Sequence, residues 1–87
     1  MIISSLKKMI QNLIVNFNKL VRIRFSEGDE LLVRIFESSP IKSNKGVPVN
    51  KEAPLGKALL GHTKGEQIEY LVIDKTYKVT ILEIYTN

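Results

Sequence analysis

Between Ile3 and Phe17 the apolar residues fall three and four apart: Ile3, Leu6, Met9, Ile10, Leu13, Ile14 and Phe17. That spacing predicts an amphipathic helix over residues 3–17, with Lys7, Lys8, Gln11 and Asn12 on its other face. Ser4 and Ser5 stand where a helix cap is wanted. From Leu20 the period changes to two. Val21, Ile23 and Phe25 point one way and Arg22 and Arg24 the other, which predicts a half-buried strand. Ser26-Glu27-Gly28-Asp29 reads as a turn, its glycine supplying the permissive backbone. Residues 30–36 make the next strand, with Leu31, Val33 and Ile35 on one face, so the pair forms an antiparallel hairpin.

Residues 38–50 lose the periodicity and contain two prolines and a Ser-Asn-Lys-Gly turn. They read as a surface loop with one short extended piece at 47–49. A short helix follows over about residues 54–60. Pro54 suits its first position, where a missing N–H costs nothing, and Gly61 suits the left-handed position after its end. Leu55 and Leu59 would face the sheet. After a His62-Thr63-Lys64-Gly65 loop, residues 67–73 and 77–84 read as two strands joined by Asp74-Lys75-Thr76, a second hairpin. The expected architecture is α+β: a twisted antiparallel sheet of four to five strands, one short helix across it, and an N-terminal amphipathic helix. Residues 1–18 would form the N-terminal helix and residues 19–87 the sheet domain.

Composition narrows the chemistry. Over 87 residues, 44% hydrophobic and 25% charged content fit a single globular domain. The absence of cysteine excludes a disulfide framework, a thiol nucleophile and Cys-ligated metal. One histidine, His62, cannot make the pairs that zinc hydrolases use. No phosphate loop, acid pair or catalytic triad can be assembled. The expectation is a protein without catalytic residues, metal or cofactor.

The net charge of +4 is uneven. Residues 1–24 hold Lys7, Lys8, Lys19, Arg22 and Arg24 and no acid, whereas residues 25–37 set Glu27, Asp29, Glu30 and Glu37 against Arg34 alone. A basic balance fits nucleic acid, an acidic protein surface or plain solvation. Arg22 and Arg24, on one face of the first strand, are the best candidates for a basic patch. Polar residues interrupt the apolar N-terminus well short of the ~20 residues a membrane span needs. Its charges also lie inside the apolar run, not before it as in a signal peptide. The expected location is cytoplasmic, with no membrane contact.

The stretch Pro54-Leu55-Gly56-Lys57-Ala58-Leu59-Leu60-Gly61, then Lys64-Gly65-Glu66, then Tyr77-Lys78-Val79-Thr80-Ile81-Leu82-Glu83-Ile84 resembles the C-terminal domain of the Gre family. These are the bacterial transcript cleavage and elongation factors GreA and GreB, with relatives such as Rnk. The resemblance covers roughly residues 19–85 and is most specific around residues 54–66. It implies an FKBP-like fold without prolyl isomerase activity. It also implies docking on RNA polymerase, at the rim of the secondary channel, on a coiled coil of the β′ subunit, so that DNA or RNA is met only indirectly. In the family the loop before the short helix matters for docking. That brings forward Glu52, Ala53, Pro54, Leu55, Gly56 and Lys57 as partner-binding residues. Ala53 stands where the family has serine, and losing a serine cap costs about 1 kcal/mol. Glu52 offsets part of that through the helix dipole. Glu66 replaces the usual aspartate.

Full Gre factors carry a long antiparallel coiled coil with acidic residues at its tip that help hold the catalytic magnesium. Residues 1–17 give at most one helix of about 26 Å. No Asp or Glu precedes Glu27, so nothing in this arm would coordinate a hard cation. The expectation is therefore a docking domain without transcript cleavage, which modulates elongation or competes with Gre factors. Two other readings stay open. One is an FKBP-type isomerase or peptide-binding module, which needs an aromatic-lined pocket. The other is a self-associating domain that forms a homodimer through residues 3–17.

Overall fold

Alternation sets the register of the first hairpin. In β1 (Leu20–Phe25) and β2 (Glu30–Phe36), Val21 lies opposite Val33 and Ile23 opposite Leu31, so both strands turn one apolar face to the core. The computed structural model describes residues 14–38 and 45–85 of the chain. Gly28, at φ 104°, closes the turn between these strands, its N–H donating to the Phe25 carbonyl at 2.8 Å.

Five strands form one sheet in the order β3-β2-β1-β5-β4. β4 (Gln67–Val72) and β5 (Lys75–Tyr85) are an antiparallel hairpin, and β5 lies antiparallel beside β1 at the centre. β3 (Val47–Asn50) departs from the expected all-antiparallel sheet: it pairs with β2 in parallel, Val33 with Val47 and Ile35 with Val49. β3 begins opposite Val33, midway along β2, so it runs beside the second half of that strand, a parallel placement that a two-residue turn could not make.

The register of β1 against β5 slips at one place. Arg22 faces Glu83 but Ile23 faces Ile81, which leaves Leu82 as a bulged residue. The bulge explains why Ile81 and Ile84, three apart, both point inward and are buried. A strict period of two would have sent one of them to solvent.

The single described helix, α1 (Pro54–Leu59), packs against β4 and β3, the two opposite edges of the sheet. A helix that reaches both edges requires the sheet to curl around it. Leu59 is fully buried, and Leu55, Ala58 and Leu60 pack at the margin of the core. The core is otherwise built from Val15, Val21, Ile23, Val33, Ile35, Ile68, Val79, Ile81 and Ile84. Each fully buried aliphatic side chain of this kind contributes about 1.5–3 kcal/mol relative to exposure.

The predicted helix over residues 3–17 lies, for residues 3–13, outside the described residues. Its last four residues are not helical. Ile14 makes an antiparallel bridge to Thr63, and Val15 is buried in the core. The Val15 N–H donates to the His62 carbonyl at 2.8 Å, and the Gly61 N–H donates to the Val15 carbonyl at 3.0 Å. Asn16 turns its side-chain oxygen onto the Phe17 N–H at 2.8 Å, competing with helical bonding. Asn18 then takes a left-handed conformation, φ 67°, and leads into β1.

Candidate partner-docking surface

The turn into α1 is assembled from Asn50. Its side-chain oxygen accepts the Glu52 N–H at 2.9 Å and its carbonyl accepts the Ala53 N–H at 3.0 Å. This local turn aims the chain into the helix without a capping side chain. Ala53 occupies the cap position in extended backbone, φ −66° and ψ 150°, with no side-chain cap bond, as its identity requires. The Lys57 N–H then donates to the Ala53 carbonyl at 2.9 Å.

Gly56 is where helix and turn meet. It is buried, and a Cβ there would collide with the Asn50 carbonyl oxygen and lie 3.3 Å from the Lys51 Cα. Its backbone φ is not left-handed. What the position requires is the absence of a side chain at a backbone-to-backbone seam. Leu55 points inward at the core margin.

The six residues singled out from sequence thus separate. Leu55 and Gly56 serve the fold. Glu52, Pro54 and Lys57 are exposed and, with Ala58, form one wall of a shallow groove whose other wall is Tyr70 and Leu71 of β4. Among the described residues, neither Glu52 nor Lys57 has an ion-pair partner, whereas neighbouring Lys51 lies 3.8 Å from Glu37. The groove is an apolar floor between two free charges of opposite sign. Tyr70 and Leu71 were not candidates from sequence. Only the pairing of helix and edge strand places them there, although Leu71 carried one signal: it falls on the solvent side of the β4 alternation.

Three of the six aromatic residues gather on the helix side of the sheet. Tyr70 and Tyr77 stack with centroids 5.3 Å apart and planes 17° from parallel, and Phe25 meets Tyr77 edge-on at 6.5 Å. The Lys75 ammonium sits 5.0 Å from the Tyr77 ring centre. Burial, then the neighbouring Tyr77, pushes the Tyr70 hydroxyl above the ordinary phenol range. The rings are spent largely on one another, and of the three only Tyr70 lines the groove.

The expected basic patch on β1 is instead interleaved with acids. The Arg22 guanidinium lies 3.5 Å from Glu30 and donates to the Tyr85 hydroxyl at 3.1 Å, and Glu83 is its cross-strand partner on β5. Arg24 faces Glu30 across the β1–β2 pair. Such a surface gives no consistent attraction to phosphate.

The far end of α1 closes on itself. Gly61, φ 84°, takes the left-handed position expected after the helix. The Glu66 carboxylate accepts the Thr63 N–H at 2.9 Å and lies 2.7 Å from His62 Nδ1. These two contacts, the Thr63 bond first, hold it below the usual carboxylate range. Lys64 reaches Glu83 at 3.1 Å. Among the described residues there is no group of three or more His, Asp or Glu suited to a metal ion, and no helix long and apolar enough to cross a membrane.

The chain is similar to known proteins in both sequence and fold. The family model described as transcription elongation factor GreA/GreB, C-terminal, matches residues 10–86. Transcription elongation factor GreA of Lachnoclostridium phytofermentans is 41% identical over 71 residues, covering 80% of this chain and 44% of that protein. Among solved structures, the GreA/GreB elongation factor from Nitrosomonas europaea aligns with a TM-score of 0.67 at 26% identity, over 86% of this chain and 63% of its own. Gfh1 of Thermus aquaticus aligns with a TM-score of 0.70 at 19% identity, over 97% of this chain and 61% of its own, a likeness of fold. The chain therefore spans about half the length of the relatives it matches, between 44% and 63% in these three.

Proposed function

Because the chain belongs to the GreA/GreB family of transcription elongation factors, through their C-terminal domain, we propose that it binds RNA polymerase and acts there without catalysis of its own. Its site is the rim of the secondary channel, on the β′ coiled coil, and its effect is to modulate elongation or to compete with Gre factors for that place. The observation that carries this reading is the start of α1. Glu52 and Lys57 stand free of ion pairs among the described residues and flank an apolar groove within the segment that matches the family. An exposed ion pair is worth little to a fold, so two unpaired charges beside apolar surface are available to a partner at small internal cost.

The test is affinity of the full chain for core RNA polymerase, alone and in competition with a full-length Gre factor. The wild type is expected to bind and to be displaced. Glu52→Lys should weaken binding by about tenfold or more, the loss typical of truncating one partner of an interfacial charge pair. No binding at micromolar protein, with the wild type and Glu52→Lys behaving alike, would overturn the proposal.

A further inference from the structure

Leu71 and Ile73, at the end of β4 and the tip of the β4–β5 hairpin, have no evident internal role. Leu71 is 59% exposed and Ile73 is 92% exposed. Ile73 also takes the left-handed backbone region, φ 58°, at the first position of the two-residue turn Ile73-Asp74. Turns with a positive φ at that position favour glycine, and a β-branched residue there is strained. The strain brings no packing in return: the side chain points into solvent.

The surroundings say what could cover it. Leu71 is already part of the groove wall opposite Pro54 and Ala58, which Glu52 and Lys57 flank, and Ile73 follows it two residues on, in the turn that ends β4. At the tip, Asp74 adds an acid and Lys75 is held over the Tyr77 ring. Each end of the strip holds one acid and one lysine, Glu52 with Lys57 and Asp74 with Lys75, so it offers no uniform positive charge to nucleic acid or anionic lipid. Two aliphatic side chains, even fully exposed, also offer less than half of the ~800 Å² per partner that a standard interface buries. That is too little for a stable pair of copies, but enough for one part of a larger contact.

We propose that Leu71 and Ile73 form the apolar half of the polymerase-docking surface, and that the segment of polymerase seated there presents an aliphatic side chain flanked by one basic and one acidic residue. This rests on the polymerase-binding reading above. In it, Glu52 and Lys57 set orientation, and Leu71 and Ile73 supply the apolar contact that is desolvated on binding.

The experiment measures affinity of the full chain for core RNA polymerase, together with melting temperature and light scattering, for the wild type, Ile73→Asn, Leu71→Ser and Glu52→Lys. Asparagine tolerates the left-handed region, so Ile73→Asn should melt no lower than the wild type while binding about tenfold more weakly. Leu71→Ser, on the exposed side of β4, should weaken binding comparably. If the wild type binds, Glu52→Lys loses affinity and both hairpin variants stay within about twofold of the wild type, the hairpin proposal fails and the docking reading survives. If the wild type does not bind, both fall. Should the hairpin variants change the oligomeric state and leave polymerase affinity unaltered, the surface belongs to a second copy and the proposal is overturned.

Discussion

The two ends of α1 are built on opposite plans. At the far end, every exposed polar group named between Gly61 and Glu66 has an internal partner: His62 and Thr63 on Glu66, Lys64 on Glu83, and the Gly65 N–H on the Ile81 carbonyl at 2.8 Å. At the near end the backbone is tied tightly, by Asn50 to Glu52 and Ala53, but the side chains are not. Glu52 and Lys57 lack ion-pair partners among the described residues, Ala53 gives no cap, and β4 and the turn after it leave Leu71 and Ile73 exposed. The contrast separates residues that hold the fold from residues the fold merely presents. The segment 52–57, read from sequence as one string, mixes the two kinds.

The largest test of that separation is Gly56→Ala. If the near end is rigid in backbone, a single methyl group between α1 and the Asn50 carbonyl must force the helix outward. Overpacking of this kind costs about 1–3 kcal/mol, and the backbone on both sides of the seam puts the expected loss near the top of that range. Thermal or urea denaturation measures it. A loss below about 0.5 kcal/mol, the size of an ordinary surface substitution, would mean that the helix start shifts freely and that the proposed groove is not preformed.

Next in size is Ala53→Ser. The cap residue already has the extended backbone a serine cap uses, φ −66° and ψ 150°, and only the hydroxyl is missing. Restoring it should stabilise the domain by about 1 kcal/mol, a rise of about 4–8 °C in melting temperature for a domain this small. No rise would show that the N–H groups of Leu55 and Gly56 gain nothing from a capping hydroxyl, and that the near end needs no side chain to close it.

How much of this was legible in the sequence follows from the range of the interactions. Period-two alternation gave β1 and β2 with their inward residues, because alternation is local and Gly28 marks the turn. Pro54 and Gly61 bounded the short helix for the same reason. The parallel placement of β3 was hidden, since nothing local distinguishes a strand that returns beside β2 in one direction from the other. The bulge at Leu82 was hidden too, although Ile81 and Ile84 both facing inward is its trace. The helical pattern continued through residues 14–17, but pairing with residues 61–63 draws Val15 into the core and overrides it. At the candidate surface, Glu52, Pro54 and Lys57 were legible from family wording. Tyr70, Leu71 and Ile73 were not, because only tertiary packing brings the β4 edge to the helix start. Gly56 was read as part of that wording, and its reason, a carbonyl from the preceding turn, is visible only in three dimensions.

The smallest expected effect probes the far end through pH. The Glu66 carboxyl is held below its ordinary value of 4.5 by the Thr63 N–H first and His62 second. A carboxylate whose pKa is depressed on folding contributes stability that is present above the unfolded value and lost as pH falls through the folded one. Glu66→Gln keeps an oxygen for the Thr63 N–H but removes the charge. At neutral pH the variant should therefore melt slightly below the wild type. As pH drops below 4.5 the difference should shrink, because the wild-type carboxyl becomes protonated and loses the same charge. Melting curves of both proteins from pH 7 to about pH 3 follow the gap directly, over the range where carboxylates titrate. A gap that stays constant across that range would mean that the loop is held by its backbone bonds to Val15 and Ile81 alone, and the far end would then be closed by the main chain in the same way as the near end.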